Sequence, residues 1–275
     1  IRKAVKKVSN DNLLIGEVWE DASSKISYGY RRHYFQGQEL DGVMNYPFKE
    51  AIINYVVGGK SQFFENEVMK IVENYPKQAL DTTMNLIDSH DTIRALTLFG
   101  AINSNDMSRE EKRNFKMSQE DYNKAKQVLK MAATLQFMLP GIPSIYYGDE
   151  GGMQGFEDPM NRLPMPWDGL DKDLQEHYRA LGKIRRNFKK ALCGKIRFES
   201  QEENLLVFKR YDEDNQEIVI IANNYSNYKK YYLFEDSINL LTKALLESGW
   251  VGLPPNSVMV LESVYRDGKL LREVD

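Results

Sequence analysis

Leu13-Leu14-Ile15-Gly16-Glu17-Val18-Trp19 is the stretch on which the architecture turns. It is a short apolar run closing on an acid, the pattern of a parallel strand buried on both faces and ending in a polar group. The strand reading covers Asn12–Val18, and three similar runs follow at Leu40–Asn45, Thr82–Asp88 and Ile142–Tyr147. Helical patterns come after each of them: Phe48–Val57 and Ser61–Tyr75, then Ile93–Phe99 and Gln119–Leu139, then Lys172–Lys190. Arg2–Val8 reads as a helix ahead of the first strand. Gly58-Gly59, Pro76 and Pro140-Gly141 punctuate the boundaries. Strand then helix, four times over, predicts parallel βα units and an α/β fold.

After residue 192 the texture changes. Strands are expected at Ile196–Phe198, Leu205–Tyr211, Ile218–Asn223, Tyr231–Leu233 and Val258–Leu261, separated by turns such as Asp212–Gln216 and Pro254–Asn256. The expected organisation is therefore an α/β unit over residues 1–192 and a small all-β unit over 193–275. No internal repeat or low-complexity tract interrupts either.

With 42% hydrophobic and 28% charged residues the chain can bury a core. A net charge of −3 gives no electrostatic footprint for nucleic acid or an anionic membrane surface. Cys193 is the single cysteine, which excludes an intrachain disulfide and fits a reducing compartment such as the cytoplasm. No apolar run is long enough for a membrane span, and residues 1–12 lack the apolar core of a signal peptide. Ile1 is not an initiator residue, so the chain is expected to begin inside a longer gene product.

Three clusters carry chemistry. Glu17 sits at the C-terminal end of its strand, where βα-barrel enzymes place reacting groups, and an apolar neighbour such as Trp19 suits a proton donor. Spacing alone leaves it open whether Glu17 is catalytic or part of a structural ion pair. Met84-Asn85-Leu86-Ile87-Asp88-Ser89-His90-Asp91-Thr92 repeats the pattern and brings His90 and Asp91 to the same end. Two carboxylates facing one substrate are what glycoside hydrolysis needs, while helix capping by Asp91 or Thr92 stands beside that reading. Gly141-Ile142-Pro143-Ser144-Ile145-Tyr146-Tyr147-Gly148-Asp149-Glu150 ends the fourth strand in a sharp loop, followed by Asp158-Pro159-Met160-Asn161-Arg162 and Met165-Pro166-Trp167. No phosphate loop is present. His33 and His177 are read as structural or surface residues.

Gly-Glu-Val-Trp, Asp-Ser-His-Asp-Thr, Gly-Ile-Pro-Ser-Ile-Tyr-Tyr-Gly-Asp-Glu and Asp-Pro-x-x-Arg-x-x-Met-x-Trp, in this order, resemble signatures of glycoside hydrolase family thirteen, the α-amylase superfamily. Their texture is similar to that of neopullulanases, cyclomaltodextrinases and maltogenic amylases. The resemblance spans about residues 1–190, and the terminal β-rich part is similar to that family's C-terminal domain. It implies the C-terminal half of a (β/α)8 TIM barrel, strands five to eight, in a retaining hydrolase of α-1,4 and α-1,6 glucosidic bonds. Glu17 is then implied as general acid/base and Asp91 as the carboxylate that stabilises the transition state. His90, Asp158 and Arg162 are implied substrate contacts, with Trp19 and Tyr147 lining the cleft.

The family's nucleophile is an aspartate in a Gly-x-Arg-x-Asp strand, and no such motif occurs in this chain. The resemblance therefore implies that the chain is inactive alone. It further implies self-association through open sheet edges or pairing with an N-terminal half. A transglycosylase or isomerase of the same superfamily shares these residues, and a non-catalytic carbohydrate-binding subunit is the alternative from another class. No organic cofactor is expected. No oxygen-ligand loop resembles an EF-hand, and calcium is a possibility reserved for the parent protein.

Overall fold

The computed structural model describes all residues except 201, 214–215, 267–268 and 271–275, so two positions of the expected Asp212–Gln216 turn lie outside the described residues. Four short strands, Ile15–Gly16, Gly42–Val43, Met84–Asn85 and Ile142–Pro143, stand side by side in chain order. Ile15 pairs with Gly42 and Met84 with Ile142, both in parallel, and a parallel bridge between Met44 and Met84 joins the two pairs. Backbone bonds continue the ladder beyond the paired residues: Asn45 N donates to Met84 O at 2.8 Å and Ser144 N to Asn85 O at 2.7 Å.

The ladder is shorter than the apolar runs suggest, and its outer strands are not buried on both faces. Ile15 and Gly16 are half-buried and Ile142 is exposed, whereas Gly42 and Val43 are buried. The reason is positional. Each outer strand has a neighbour on one edge only among the described residues, so its other edge and the side chains beside it stay open to water. Glu17, expected in a buried strand, is likewise solvent-exposed just past Gly16.

The helices follow from capping and periodicity. Asn45 accepts from Phe48 N at 3.3 Å and Pro47 sits in the first turn, starting Tyr46–Val56. In Ser61–Asn74 the residues Phe64, Val68 and Ile71 recur at helical spacing and are fully or nearly fully buried. Ser118 caps Gln119–Met138, with Glu120 and Asp121 at the positive end of its dipole. That helix stops at Leu139-Pro140-Gly141. Gly141 has φ +103, and a Cβ there would lie 2.5 Å from Thr83 Oγ1 and 2.9 Å from Asn85 Oδ1, so the turn into the fourth strand requires glycine. The expected Lys172–Lys190 helix is two, Lys172–Asn187 and Lys189–Cys193. Lys77–Asp81, Arg109–Asn114 and a small hairpin of Ile26–Ser27 with Tyr30–Arg31 were not legible as periodic segments.

From Lys195 onward the chain forms an antiparallel six-stranded sheet in the order Leu245–Leu246, Ser237–Asn239, Ser257–Ser263, Glu217–Asn223, Leu205–Tyr211, Lys195–Phe198. A separate antiparallel pair, Lys229–Leu233 with Gly249–Leu253, covers one face of it. The alternation of side chains shows how both faces are used. Leu205, Val207 and Ile221 pack with Leu233 and Leu253 of the pair, while Leu206, Phe208, Ile220 and Ala222 join one continuous core with Phe64, Leu129 and Leu181 of the helices.

Polar anchors reinforce that shared core. The buried Tyr55 hydroxyl donates to Ala222 O at 2.7 Å and accepts from Leu206 N at 3.1 Å. Asn224 Nδ2 donates to Gly59 O at 2.7 Å. The fully buried Arg210 spans the junction, donating to Met138 O at 2.6 Å and to the carbonyl of Leu192. His177 is held between helices by Thr134 Oγ1 at 3.1 Å and Lys130 O at 3.0 Å, in keeping with a structural histidine.

Tyr55→Phe removes the hydroxyl that serves a strand carbonyl and a strand amide in the dry junction. Leaving such groups unpaired costs about 1–3 kcal/mol. The denaturant midpoint of the variant is expected to fall accordingly with the slope unchanged; an unaltered midpoint would mean that apolar packing alone holds the sheet against the helices.

Candidate active site

The parallel register fixes which residues share the C-terminal end of the ladder. Glu17 follows Gly16, Tyr46 follows Asn45, and Ser89 to Thr92 follow the strand containing Asn85. Tyr46 is the link between them. Its ring is 1% exposed, and its hydroxyl donates to Glu17 Oε1 at 3.0 Å, with Ser89 close beside the phenolic oxygen. Burial, with the charges of Glu17 and Asp91 added, pushes the Tyr46 hydroxyl up to about 12, so it stays a protonated donor across the physiological range. Trp19 lies on the other side of Tyr46, stacked at 4.0 Å between centroids and 18° between planes, with about half its surface open.

Asp91 is partly exposed and reached from two sides. His90 Nε2 and Arg162 Nη2 each lie 3.4 Å from its Oδ1. Arg162 Nε is also 2.7 Å from Asp158 Oδ1, so this guanidinium bridges two carboxylates that are 67 positions apart in sequence. A cis peptide joins Asp158 to Pro159. The loop is tied down from below: Asn161 is fully buried, and its Nδ2 donates to His90 O and Thr92 O, each at 2.8 Å. The structure thus brings Glu17, His90, Asp91, Asp158 and Arg162 to one end of the ladder, with Trp19 on its margin.

Tyr147 is placed differently from a free cleft wall. Its hydroxyl donates to Leu163 O at 2.8 Å, and its ring lies 4.7 Å from the guanidinium carbon of Arg94, leaving it 40% exposed. Arg94 is the centre of a buried cluster under the site. It is 0% exposed, donates to Tyr147 O at 2.7 Å, lies 3.3 Å from Asp149 Oδ1 and sits 4.5 Å from the Tyr146 ring. Asp88 accepts from Ala95 N at 2.7 Å and faces Asp149. Burial, reinforced by Asp88, pushes the Asp149 carboxyl well above the usual carboxylate range, and burial also raises Asp88. Both carboxyls lie in one dry pocket beside Arg94, where burial favours their neutral forms and the guanidinium opposes that shift.

Sequence reading did not single out Tyr46, Ser89, Asn161 or the Arg94–Asp88–Asp149 cluster. Asp88 and Asp149 are acids embedded in otherwise apolar strand ends, a local signal that was available. Tyr46 and Asn161 carry no such signal, because their roles depend on contacts distant in sequence. Among the described residues no group of three or more His, Cys, Asp or Glu converges as a metal-holding set.

Residues 1–231 match the family described as "Alpha amylase, catalytic domain", running past residue 192 into the β-rich part. A cyclomaltodextrinase from a Bacillus species is 32% identical over 227 residues, covering 81% of this chain and 35% of the relative. Neopullulanase 2 of Thermoactinomyces vulgaris is 33% identical over 229 residues, covering 81% of this chain and 34% of the relative. Among solved structures, the type III pullulan hydrolase from Thermococcus kodakarensis superposes with a TM-score of 0.77 at 28% identity, covering 95% of this chain and 41% of that one. The chain therefore spans about a third of the length of those two relatives.

The raised Asp149 carboxyl makes a pH prediction. A carboxyl whose folded pKa is raised stabilises most fully below its ordinary value of 3.8 and loses that contribution as pH rises toward the folded value. Asp149→Asn keeps a neutral donor in place at every pH. Its denaturation midpoint is expected to decline less than that of the unmodified chain as pH rises above 3.8; parallel pH profiles would show that Asp149 does not hold the proton.

Proposed function

The chain belongs to the α-amylase catalytic-domain family, and on that footing we propose that it carries the acid/base side of a retaining α-glucan hydrolase. The observation that supports this most directly is the pairing at one end of the ladder of Glu17 with the Tyr46 hydroxyl and of Asp91 with Arg162 and His90. Glu17 gives its proton to the glycosidic oxygen as the C1–O bond breaks. Asp91 faces the positive charge that develops on the sugar ring and grips its hydroxyls. The nucleophilic carboxylate bonds to C1 as the C1–O bond breaks, and water then displaces it, giving its hydroxyl to C1 and its proton back to Glu17. His90, Arg162 and Asp158 hold neighbouring glucosyl units, and Trp19 and Tyr147 flank them.

The nucleophilic carboxylate in this reading comes from residues outside the chain, since no Gly-x-Arg-x-Asp strand occurs in it. The four strands are strands five to eight of a (β/α)8 barrel, and the antiparallel sheets are the C-terminal domain. The exposed apolar side chains of Leu13, Ile142 and Ile145 on the outer strands favour pairing, either with the preceding barrel strands or with a second copy. α-1,4 bonds, and α-1,6 bonds beside them, are the proposed targets, in starch-type oligosaccharides or cyclodextrins; transglycosylation is the competing outcome, separated by product analysis on maltotriose. No step needs an organic cofactor.

The test is complementation. Mixed with a segment supplying strands one to four and their aspartate, the chain is expected to hydrolyse cyclodextrin or pullulan, and Glu17→Gln in the same mixture to reduce turnover by at least about a thousandfold, as for loss of an essential proton donor. The chain alone is expected to show none. Turnover by the chain alone that disappears in Glu17→Gln would contradict a nucleophile supplied from outside.

A further inference from the structure

The two-stranded pair Lys229–Leu233 and Gly249–Leu253 has one face that packing does not use. Its inward residues Leu233 and Leu253 are buried in the core against the six-stranded sheet, with Tyr231 and Val251 packed beside them. The alternate residues point out. Tyr232 and Trp250 are cross-strand partners with ring centroids 5.4 Å apart, and Phe234 lies 5.2 Å from Tyr232. Their exposures are 43%, 70% and 84% in the order Tyr232, Trp250, Phe234. Gly252 continues the outward row beyond Trp250, and the Tyr228 ring lies beside it, 3.9 Å from where a Cβ would be, which is ordinary contact distance. Tyr228 is itself 71% exposed.

We propose that this face, built by Tyr228, Tyr232, Phe234 and Trp250 around Gly252, is a binding platform for an α-glucan chain, separate from the site around Glu17. The choice of α-glucan as ligand rests on the proposed function; the platform itself does not. Side-chain chemistry favours a sugar polymer over a protein. The four residues are all aromatic, and three carry a polar atom at the ring rim: the Tyr228 and Tyr232 hydroxyls and the Trp250 indole N–H. Flat apolar faces with hydrogen-bonding rims match pyranose rings, whose C–H faces stack while their hydroxyls stay hydrated. The same outward row carries Lys230, opposite Gly252, whose ammonium can donate to sugar hydroxyls.

Size points the same way. Aromatic side chains each present about 150–250 Å², so the exposed parts of Tyr228, Tyr232, Phe234 and Trp250 amount to roughly 550 Å². A stable dimer needs about 800 Å² per partner. The platform suits two or three sugar rings and falls short of a subunit interface. It is also fixed rather than tethered, because Tyr55 and Arg210 lock the sheets onto the helices that carry the Glu17 end of the ladder. A polymer held there stays at a constant offset from the cleft.

The chain itself provides the test, by native-gel retardation in amylopectin with dextran as control. The unmodified chain is expected to be retarded by amylopectin; Trp250→Ala and Tyr232→Ala are expected to weaken apparent affinity roughly tenfold. Trp250→Phe, which retains a ring, is expected to remain retarded, as are Trp19→Ala and Glu17→Gln. Equal retardation of Trp250→Ala, no retardation of the unmodified chain, or loss of an oligomer in Trp250→Ala with retardation unchanged would each overturn the platform. Failure of the catalytic reading shows separately, as absent hydrolysis in the complemented enzyme with retardation intact.

Discussion

The parallel register of four short strands is the constraint on which the rest depends. Ile15 opposite Gly42, Met44 opposite Met84, and Met84 opposite Ile142 set Glu17, Tyr46, Ser89 and Tyr147 at one end of the ladder. A slip of one residue would turn each side chain to the other face and take Glu17 away from Tyr46. The register is held by more than backbone bonds. Asn45 Nδ2 donates to Asn85 Oδ1 at 3.1 Å, Asn85 Nδ2 to Pro140 O at 2.7 Å, and Gln136 Nε2 to Asn85 O at 3.0 Å. These amides are buried, and satisfying them admits only one alignment of the strands.

Around that frame the polar groups divide into two layers. The outer layer, Glu17, His90, Asp91, Asp158 and Arg162, is open to solvent and can reorganise around a sugar. The inner layer, Arg94, Asp88, Asp149 and Asn161, is buried and holds the loops that carry the outer one. An isolated buried charge would be costly, so the inner layer combines one guanidinium, two carboxyls whose neutral forms burial favours, and several backbone partners. Precision in the outer layer is inherited from the rigidity of the inner one.

Much of the fold was legible in the sequence because its signals are local. Ser118 ahead of Glu120 and Asp121, and Pro140-Gly141 at the other end, delimit the Gln119–Met138 helix almost to the residue. The strand ends were harder, since the apolar runs continue past the two-residue ladders and run length carries no information about neighbours. Within the site, Glu17 and Asp91 could be singled out as acids at strand ends, whereas Asp158 and Arg162 were indicated only by the resemblance of Asp-Pro-x-x-Arg to a family signature. Tyr46 could not, because nothing near Asn45-Tyr46-Pro47 announces a hydroxyl aimed at a residue 29 positions earlier. The continuous core shared by helices and sheet was also invisible, for it rests on contacts such as Phe64 with Phe198 at 6.1 Å.

That Glu17, Asp91 and Arg162 form one sugar-binding site is the claim on which the functional account stands. Side-chain NMR of the chain mixed with a segment supplying strands one to four, titrated with maltotriose, tests it without recourse to turnover. The account predicts that the carboxyl signals of Glu17 and Asp91 and the guanidinium signal of Arg162 move together with a single midpoint. Separate midpoints, or movement of Asp91 and Arg162 with Glu17 unaffected, would contradict it.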